Sequence, residues 1–348
     1  MPNILILGAG MMGSAMSVPA SDNPSHNAVR IMGTPLDGAI IEHARRTGRH
    51  LTMDRPLPDG IQFDTFSLDA LDRSLDWADM LVCGVSSFGV DWFAGTVAPR
   101  LPQGMPTLSV TKGLLDNGDG TLTPFPRFWA ERVGRHIPFC AIGGPCTSYE
   151  LADRRHSAVV FCGGDVGVLR KLKSALETDY YHVSLSTDVE GVECAVALKN
   201  AFALAVTLAV GMTELADGEG CAQAYNPQAA LFGQCVREMG RVLDLIGADQ
   251  SNLAYGVGDL YVTIYGGRTR RLGILLGRGV PFDQAMEQLD GVTLESVVIA
   301  RRVARAIRLL AAKGKARLEA FPLLTRVDAL LSGAVGLGIP WREMETEP

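Results

Sequence analysis

The first thirteen residues limit the fold more than any other stretch of the chain. Asn3–Leu7 (NILIL) is a short, wholly apolar run of the kind that forms a buried parallel strand. GAGMMG follows at once, with glycines at 8, 10 and 13, and SAMSV then begins a helical pattern. In such a strand–turn–helix, Gly8 makes the tight turn, Gly10 lets backbone approach a pyrophosphate, and Gly13 permits close helix–strand packing. Met11 and Met12 complete the turn, where a helix start offers free N–H groups to phosphate. A glycine triplet alone is weak; after a first strand and before a helix it is a strong sign of dinucleotide binding.

Residues 19–27 (PASDNPSHN) read as a loop, and Ala28–Met32 as the second strand. A site preferring NAD usually has an acid at this strand's end. Here the chain reads Gly33-Thr34-Pro35, with no acid before Asp37. Thr34 and the pair Arg45-Arg46 would tolerate a 2′-phosphate, although both arginines fit an ordinary surface helix better. The choice between NAD and NADP stays open. Further strands are expected at 79–85, 107–111, 139–142, 158–162 and 182–185. Their ends carry Ser86-Ser87-Phe88, Lys112-Gly113 and Gly143-Gly144-Pro145, and ligands of an open α/β sheet bind beyond such ends. Lys112 is thus a candidate to meet an anion or a carbonyl; a solvated strand-end lysine fits the pattern equally.

The most apolar stretch, residues 188–214, has a helical period yet contains Glu193, Lys199 and Asn200. A lysine there must snorkel, pair or face a wet cleft, because a desolvated cation is costly. A snorkelling Lys with a capping Asn is the commoner arrangement; a catalytic Lys-Asn pair is the sharper one. Glu193 and Asn200 are two turns apart and should share a face, with Lys199 turned by about 100°. The uninterrupted apolar part, 201–212, falls short of the roughly 20 residues of a membrane span.

After about residue 187 the strand patterns give way to helices. Pro227 suits a first helical turn, with Asn226 as its cap. GVGDL and YGGRTRR then bring Asp259, Thr263, Arg268, Thr269, Arg270 and Arg271 into one short segment. Arginine forks match phosphate oxygens, though a solvated basic turn has the same composition. Arg301, Arg302, Arg305 and Arg308 have helical spacing and read as a solvated face. The six histidines, at 26, 43, 50, 136, 156 and 182, show no ligand spacing and receive no catalytic role. Seven cysteines without a CxxC pair suggest reduced, buried thiols and no metal site. The 348 residues suit two domains, and 32 Lys+Arg against 38 Asp+Glu, a net charge of −6, argue against non-specific nucleic-acid binding. No signal peptide is evident, and the tail WREMETEP is expected to fray. The expected architecture is α/β: a Rossmann-like, doubly wound, mostly parallel sheet over 1–187 and an all-helical domain over 188–348.

The ordered set GAGMMG, LPDGI, VTKGL, GGP, GVE…ALKN, GVGDLYVT, YGGRTR and GVTLES resembles NAD(P)-dependent glycerol-3-phosphate dehydrogenase over nearly the whole chain. The resemblance implies a soluble, cytoplasmic, usually dimeric enzyme, using NAD or NADP to interconvert dihydroxyacetone phosphate and sn-glycerol 3-phosphate, with its active site between two domains. Lys199 then matches the catalytic lysine that protonates the ketone oxygen, and Asn200 its substrate-binding neighbour. Lys112 matches the lysine that polarises or positions the carbonyl, and Asp259 and Thr263 the acid and hydroxyl that orient the reacting end. Arg268 matches the arginine on the substrate phosphate, which also reaches toward the cofactor. Gly8, Gly10, Met11, Met12 and Gly13 match the pyrophosphate loop, and Phe88, Pro145, Ser148 and Glu295 fall at cofactor contacts. Three positions depart. Thr269 replaces the family's phosphate-binding asparagine, Gln228 replaces a basic residue, and Thr34 stands where bacterial members carry a longer polar or basic side chain. These leave room for a different polyol or sugar phosphate, or for an unphosphorylated hydroxy acid. A nucleotide sensor on the same fold would not need the two lysines.

Overall fold

Strand β1 (Asn3–Leu7) sits inside an eight-stranded sheet, paired in parallel with β2 (Ala28–Met32) on one side and β4 (Met80–Cys83) on the other. The remaining strands are β3 (Gln62–Asp64), β5 (Thr107–Ser109), the hairpin β6 (Leu114–Asp116) and β7 (Leu122–Pro124), then β8 (Phe139–Gly143), β9 (Ser157–Cys162) and β10 (Tyr181–Ser186). The sheet order is β10-β9-β8-β5-β4-β1-β2-β3. Within this sheet, among the described residues, β8–β9 is the one antiparallel pairing, so the sheet is mostly parallel, as expected. The chain leaves β1 toward β2 and later returns to pair β4 on β1's other flank. The topological switch point therefore lies between the carboxyl ends of β1 and β4, at Gly8 and Gly84.

This computed structural model describes residues 1–134, 136–289 and 294–345. The chain divides into two compact units: Met1–Lys112 with Pro124–Glu193, and Gly113–Thr123 with Cys194–Pro348. The expected boundary at 187/188 differs from this division in two ways. The cut falls after Glu193, one turn into a helix, and the hairpin 113–123 joins the second unit. Its strands are three residues long around Gly118 and Gly120, too short for a periodic signal. The tail's residues 346–348 and Gly291-Val292-Thr293 of GVTLES lie outside the described residues.

In the first unit α1 (Met11–Ala15) breaks at Met16 and α2 (Ser17–Asp22) follows. Pro19 explains the break, because it can neither donate to the carbonyl of Ala15 nor fit against it in a continuous helix. The loop expected from residue 19 thus begins only after Asp22; Pro19 is tolerated in the first turn of α2. The short helix α3 (Ser148–Ala152) packs on α1.

The second unit is built around α4 (Val189–Asp217), whose residues from Gly191 to Gly211 are all buried except Lys199. At 29 residues it is long and apolar enough to cross a membrane by length and composition alone, and 94% of its most apolar stretch is buried in protein. Around it lie α5 (Tyr225–Ile246), α6 (Leu253–Thr263), α7 (Gly267–Gly277), α8 (Glu295–Ala312) and α9 (Pro322–Leu331). Helix α5 starts earlier than expected, with Ala224 at its cap position, so Asn226 is helical and does not cap.

The basic run on α8 is a solvated face at Arg301, Arg305 and Arg308, as expected, but its arginines are also partnered. Arg302 donates to the Leu114 carbonyl, Arg305 pairs with Asp116 at 3.4 Å, Arg308 pairs with Asp328 at 2.6 Å, and Arg301 donates to the Leu331 carbonyl. Helical spacing alone cannot reveal acceptors that come from a distant hairpin and from α9. Five of the seven cysteines are buried.

Candidate active site

In the first unit the glycine turn closes by backbone-to-backbone contact. Gly8 has φ +105°, and a Cβ there would come within 2.7 Å of the Gly84 backbone. A Cβ on Gly13 would approach the Gly8 carbonyl oxygen to 2.2 Å, and one on Gly84 would approach Gly13 Cα to 2.8 Å. Gly10 is different, for its Cβ would meet no protein atom within 4 Å. Three glycines are therefore required by the protein itself, and the fourth leaves the space a pyrophosphate needs. That is the cradle a dinucleotide fits. First-turn amides of a helix have no intrahelical acceptor, which adds donors at Met11, Met12 and Gly13.

The cofactor-side candidates Thr34, Phe88, Pro145 and Ser148 also lie in this unit, whereas Arg268 and Glu295 belong to the second. Phe88 is 59% exposed on the short turn after β4. Ser148 opens α3, beside α1, and Pro145 lies just before it. Lys112 Nζ donates to the Gly144 carbonyl at 3.1 Å, so the strand-end lysine lies next to Pro145. Thr34 faces inward: its N–H and its hydroxyl both donate to Asp37 Oδ2, at 2.7 and 2.8 Å. Arg45 donates to the Phe63 carbonyl at 2.9 Å through Nε and so is tied to β3.

Glu193 is fully buried, and neither carboxyl oxygen has a hydrogen-bond partner among the described residues. Burial pushes its carboxyl up to about 8, with the Lys112 ammonium pulling the other way. A buried, unsatisfied polar group costs about 1–3 kcal/mol. Such an acid is more stable neutral than ionised.

In the second unit Lys199 is met by a carboxylate. Its Nζ lies 2.5 Å from Asp259 Oδ1, with side-chain exposures of 15% and 1%. The two residues are 60 positions apart and come from α4 and α6. Gly256 makes the approach possible, since a Cβ there would come within 2.6 Å of the Ala195 carbonyl oxygen. Asp259 lies one turn beyond Gly256, and Lys199 one turn beyond Ala195, so the contact that docks the helices also aligns the pair. A lysine in the middle of a buried helix, ending on a buried acid, is not a snorkelling surface residue. Thr263 lies one turn after Asp259 and donates its hydroxyl to the Asp259 carbonyl at 2.7 Å. Asn200 is 8% exposed.

Arg268 and Thr269 occupy the first turn of α7, Arg268 exposed and Thr269 half-buried. Arg270 is turned away to the Ile264 carbonyl. Glu295 is the first residue of α8. The structure thus brings together Lys199, Asp259 and Thr263 in one unit, and the glycine loop, Thr34, Pro145, Ser148 and Lys112 in the other. Two residues missed as participants are Asp37 and His50, which bind the glycine loop from behind. The only sequence signal for Asp37 was its position three residues after Thr34, and for His50 there was none.

The family described as "NAD-dependent glycerol-3-phosphate dehydrogenase N-terminus" matches residues 3–165, and its C-terminal counterpart matches residues 188–337. The NADP(+)-dependent glycerol-3-phosphate dehydrogenase of Archaeoglobus fulgidus is 33% identical over 290 residues, covering 82% of this chain and 83% of its own. The glycerol-3-phosphate dehydrogenase [NAD(P)+] of Alkalilimnicola ehrlichii is 31% identical, covering 95% and 92%. Among solved structures, glycerol-3-phosphate dehydrogenase of Coxiella burnetii superposes with a TM-score of 0.79 at 24% identity, over 99% of this chain and 97% of that one.

Proposed function

Because the chain belongs to the NAD-dependent glycerol-3-phosphate dehydrogenase family, and is on that ground an NAD(P)-dependent oxidoreductase, we propose that Lys199 is its proton donor in reducing a small phospho-ketone. The leading substrate pair is dihydroxyacetone phosphate and sn-glycerol 3-phosphate. The observation that carries this reading is the Lys199–Asp259 pair at 2.5 Å, formed between the core helix α4 and α6.

When bound at the glycine loop, the nicotinamide cofactor supplies the hydride to the carbonyl carbon, or takes it back in the reverse direction. As negative charge builds on the carbonyl oxygen, Lys199 Nζ stabilises it and delivers the proton that completes the alcohol. Asp259 holds that ammonium in one orientation, which removes the freedom a long side chain would otherwise lose during reaction. Asn200 and Thr263 bind the hydroxyl-bearing end, and Lys112 polarises the carbonyl. Arg268 with Thr269, on the first turn of the eleven-residue α7, receives the phosphate, where helix amides add to the guanidinium. Phe88, Pro145, Ser148 and Glu295 contact the cofactor. The same reading makes the protein a cytoplasmic homodimer that acts on a free metabolite.

Purified protein should oxidise NADH or NADPH when given dihydroxyacetone phosphate; no oxidation of either across a panel of phospho-ketones would sink the assignment. Thr269 favours a second reading, a different polyol or sugar phosphate, since it supplies a shorter phosphate ligand than the family asparagine. Arg268→Ala should raise KM for phosphorylated substrates at least tenfold, about the worth of one charged hydrogen bond. An unchanged KM would point to an unphosphorylated hydroxy acid.

A further inference from the structure

The backbone of Ala9, at the centre of Gly8-Ala9-Gly10, is held by side chains at both its N–H and its carbonyl, the donor and the acceptor of two successive peptide units. Its N–H donates to Asp37 Oδ2 at 3.1 Å. Its carbonyl accepts from His50 Nε2 at 2.9 Å and from the Ser14 hydroxyl at 3.1 Å. Ala9 and His50 are each 1% exposed, so water does not compete for these bonds. We propose that Asp37 and His50 are positioning residues for the cofactor loop, clamping the Ala9 backbone so that Gly10 and the amides after it keep the shape that receives a pyrophosphate.

Two features argue that this is a built arrangement. Asp37 occupies the cap position of the helix Gly38–Thr47, where a carboxylate ordinarily accepts an amide of its own first turn, yet it makes no such bond. The same oxygen that takes the Ala9 amide gathers both donors of Thr34. His50 is held in a single tautomer. The Met53 N–H donates to Nδ1 at 2.9 Å, which leaves the proton on Nε2, facing Ala9. Its turn is closed on itself by backbone bonds from His50 to Arg55 and from Asp54 to His50, at 2.9 Å each. Burial also lowers the imidazole's affinity for a second proton, in keeping with a neutral ring. Gly8 and Gly13 are already locked against Gly84, so the backbone of Ala9 is the part of the turn that backbone contacts leave to side chains.

The inference rests on the reading that this loop takes the dinucleotide. Direct titration of the purified protein with NADH and NADPH tests both layers separately, through quenching of protein fluorescence. If the wild type binds neither, the cofactor reading itself fails. If it binds, Asp37→Ala and His50→Ala should each raise the dissociation constant roughly tenfold, the loss of about one well-made hydrogen bond to a buried or charged partner. The conservative Asp37→Asn and His50→Gln should recover most of that affinity. At saturating cofactor, kcat and the KM for the phospho-ketone should stay within about twofold, which separates positioning from general loss of structure. Affinities within twofold of wild type in both alanine variants would overturn the proposal. So would a loss shared equally between cofactor and phospho-ketone. Should an alanine variant not fold, Asp37→Val or His50→Leu takes its place in the same titration: a roughly tenfold rise in dissociation constant supports the clamp, and a wild-type value removes it.

Discussion

The glycine turn of the first unit and the lysine–aspartate pair of the second solve the same problem with different materials. The turn is assembled from residues 8 to 13 packed on Gly84, and its main requirement is the absence of side chains. The pair is assembled from residues 60 positions apart, and it depends on two charged groups being carried together by helices. A site made of backbone tolerates almost no added atom but needs no charge balance. A site made of side chains stands or falls with each partner. Gly256 links the two designs, for there too a missing Cβ permits an approach, and the approach then places the charges.

The comparison breaks most visibly at Asp259. Asp259→Ala leaves the Lys199 ammonium without its buried counter-charge, a loss of about 3 kcal/mol in stability, measured by denaturant titration. Turnover should fall by about a hundredfold or more while cofactor affinity holds. The glycine turn offers a sharper contrast. Gly13→Ala drives a Cβ into the Gly8 carbonyl and should cost about 1–3 kcal/mol together with cofactor binding. Gly10→Ala should leave the melting temperature unchanged yet still weaken cofactor binding severalfold, because its Cβ enters only ligand space. Equal thermal losses in the two variants would remove the distinction between a structural and a functional glycine.

Glu193 sharpens the account through pH. Its carboxyl is raised from an ordinary 4.5 to about 8, so between those values the folded state binds more protons than the unfolded chain. Stability from this group is complete below about pH 4.5 and is lost as pH rises toward 8, with a slope of up to about 1.4 kcal/mol per unit. Glu193→Gln should flatten that part of the stability curve, and an unaltered slope would show that the carboxyl is already ionised. The smallest effect belongs to the Arg305–Asp116 contact at 3.4 Å, where the guanidinium is 64% exposed and Asp116 keeps the Gly118 N–H; Arg305→Ala should cost under about 1 kcal/mol.

What could be read in the sequence follows the same division. NILIL and GAGMMG announced their strand and turn because all the information is contiguous, and the apolar period at 188–214 announced a helix observed over Val189–Asp217. The helical break at Met16 was obscured because Pro, Ser and Asn suggest loops, although Pro19 is allowed in a first turn. The hairpin 113–123 escaped notice because three-residue strands carry no period. The arginines of α8 read rightly as solvated at 301, 305 and 308, but their acceptors, Leu114, Asp116, Leu331 and Asp328, were not legible because they are distant in the chain. Lys199 stood out as a charge in the most apolar stretch and Asp259 within a polar cluster, but their pairing had no signal, since nothing local pairs residues on separate helices. His50 had no signal at all: its task is to hold a carbonyl, which any donor at that place could do.

Lys199 carries the central claim, and one variant tests it directly. In Lys199→Ala, turnover of dihydroxyacetone phosphate with the preferred reduced cofactor should fall by about 10²–10⁴-fold, while the cofactor's dissociation constant stays within twofold of wild type. Full turnover in that variant would contradict the account, whatever the cofactor affinity.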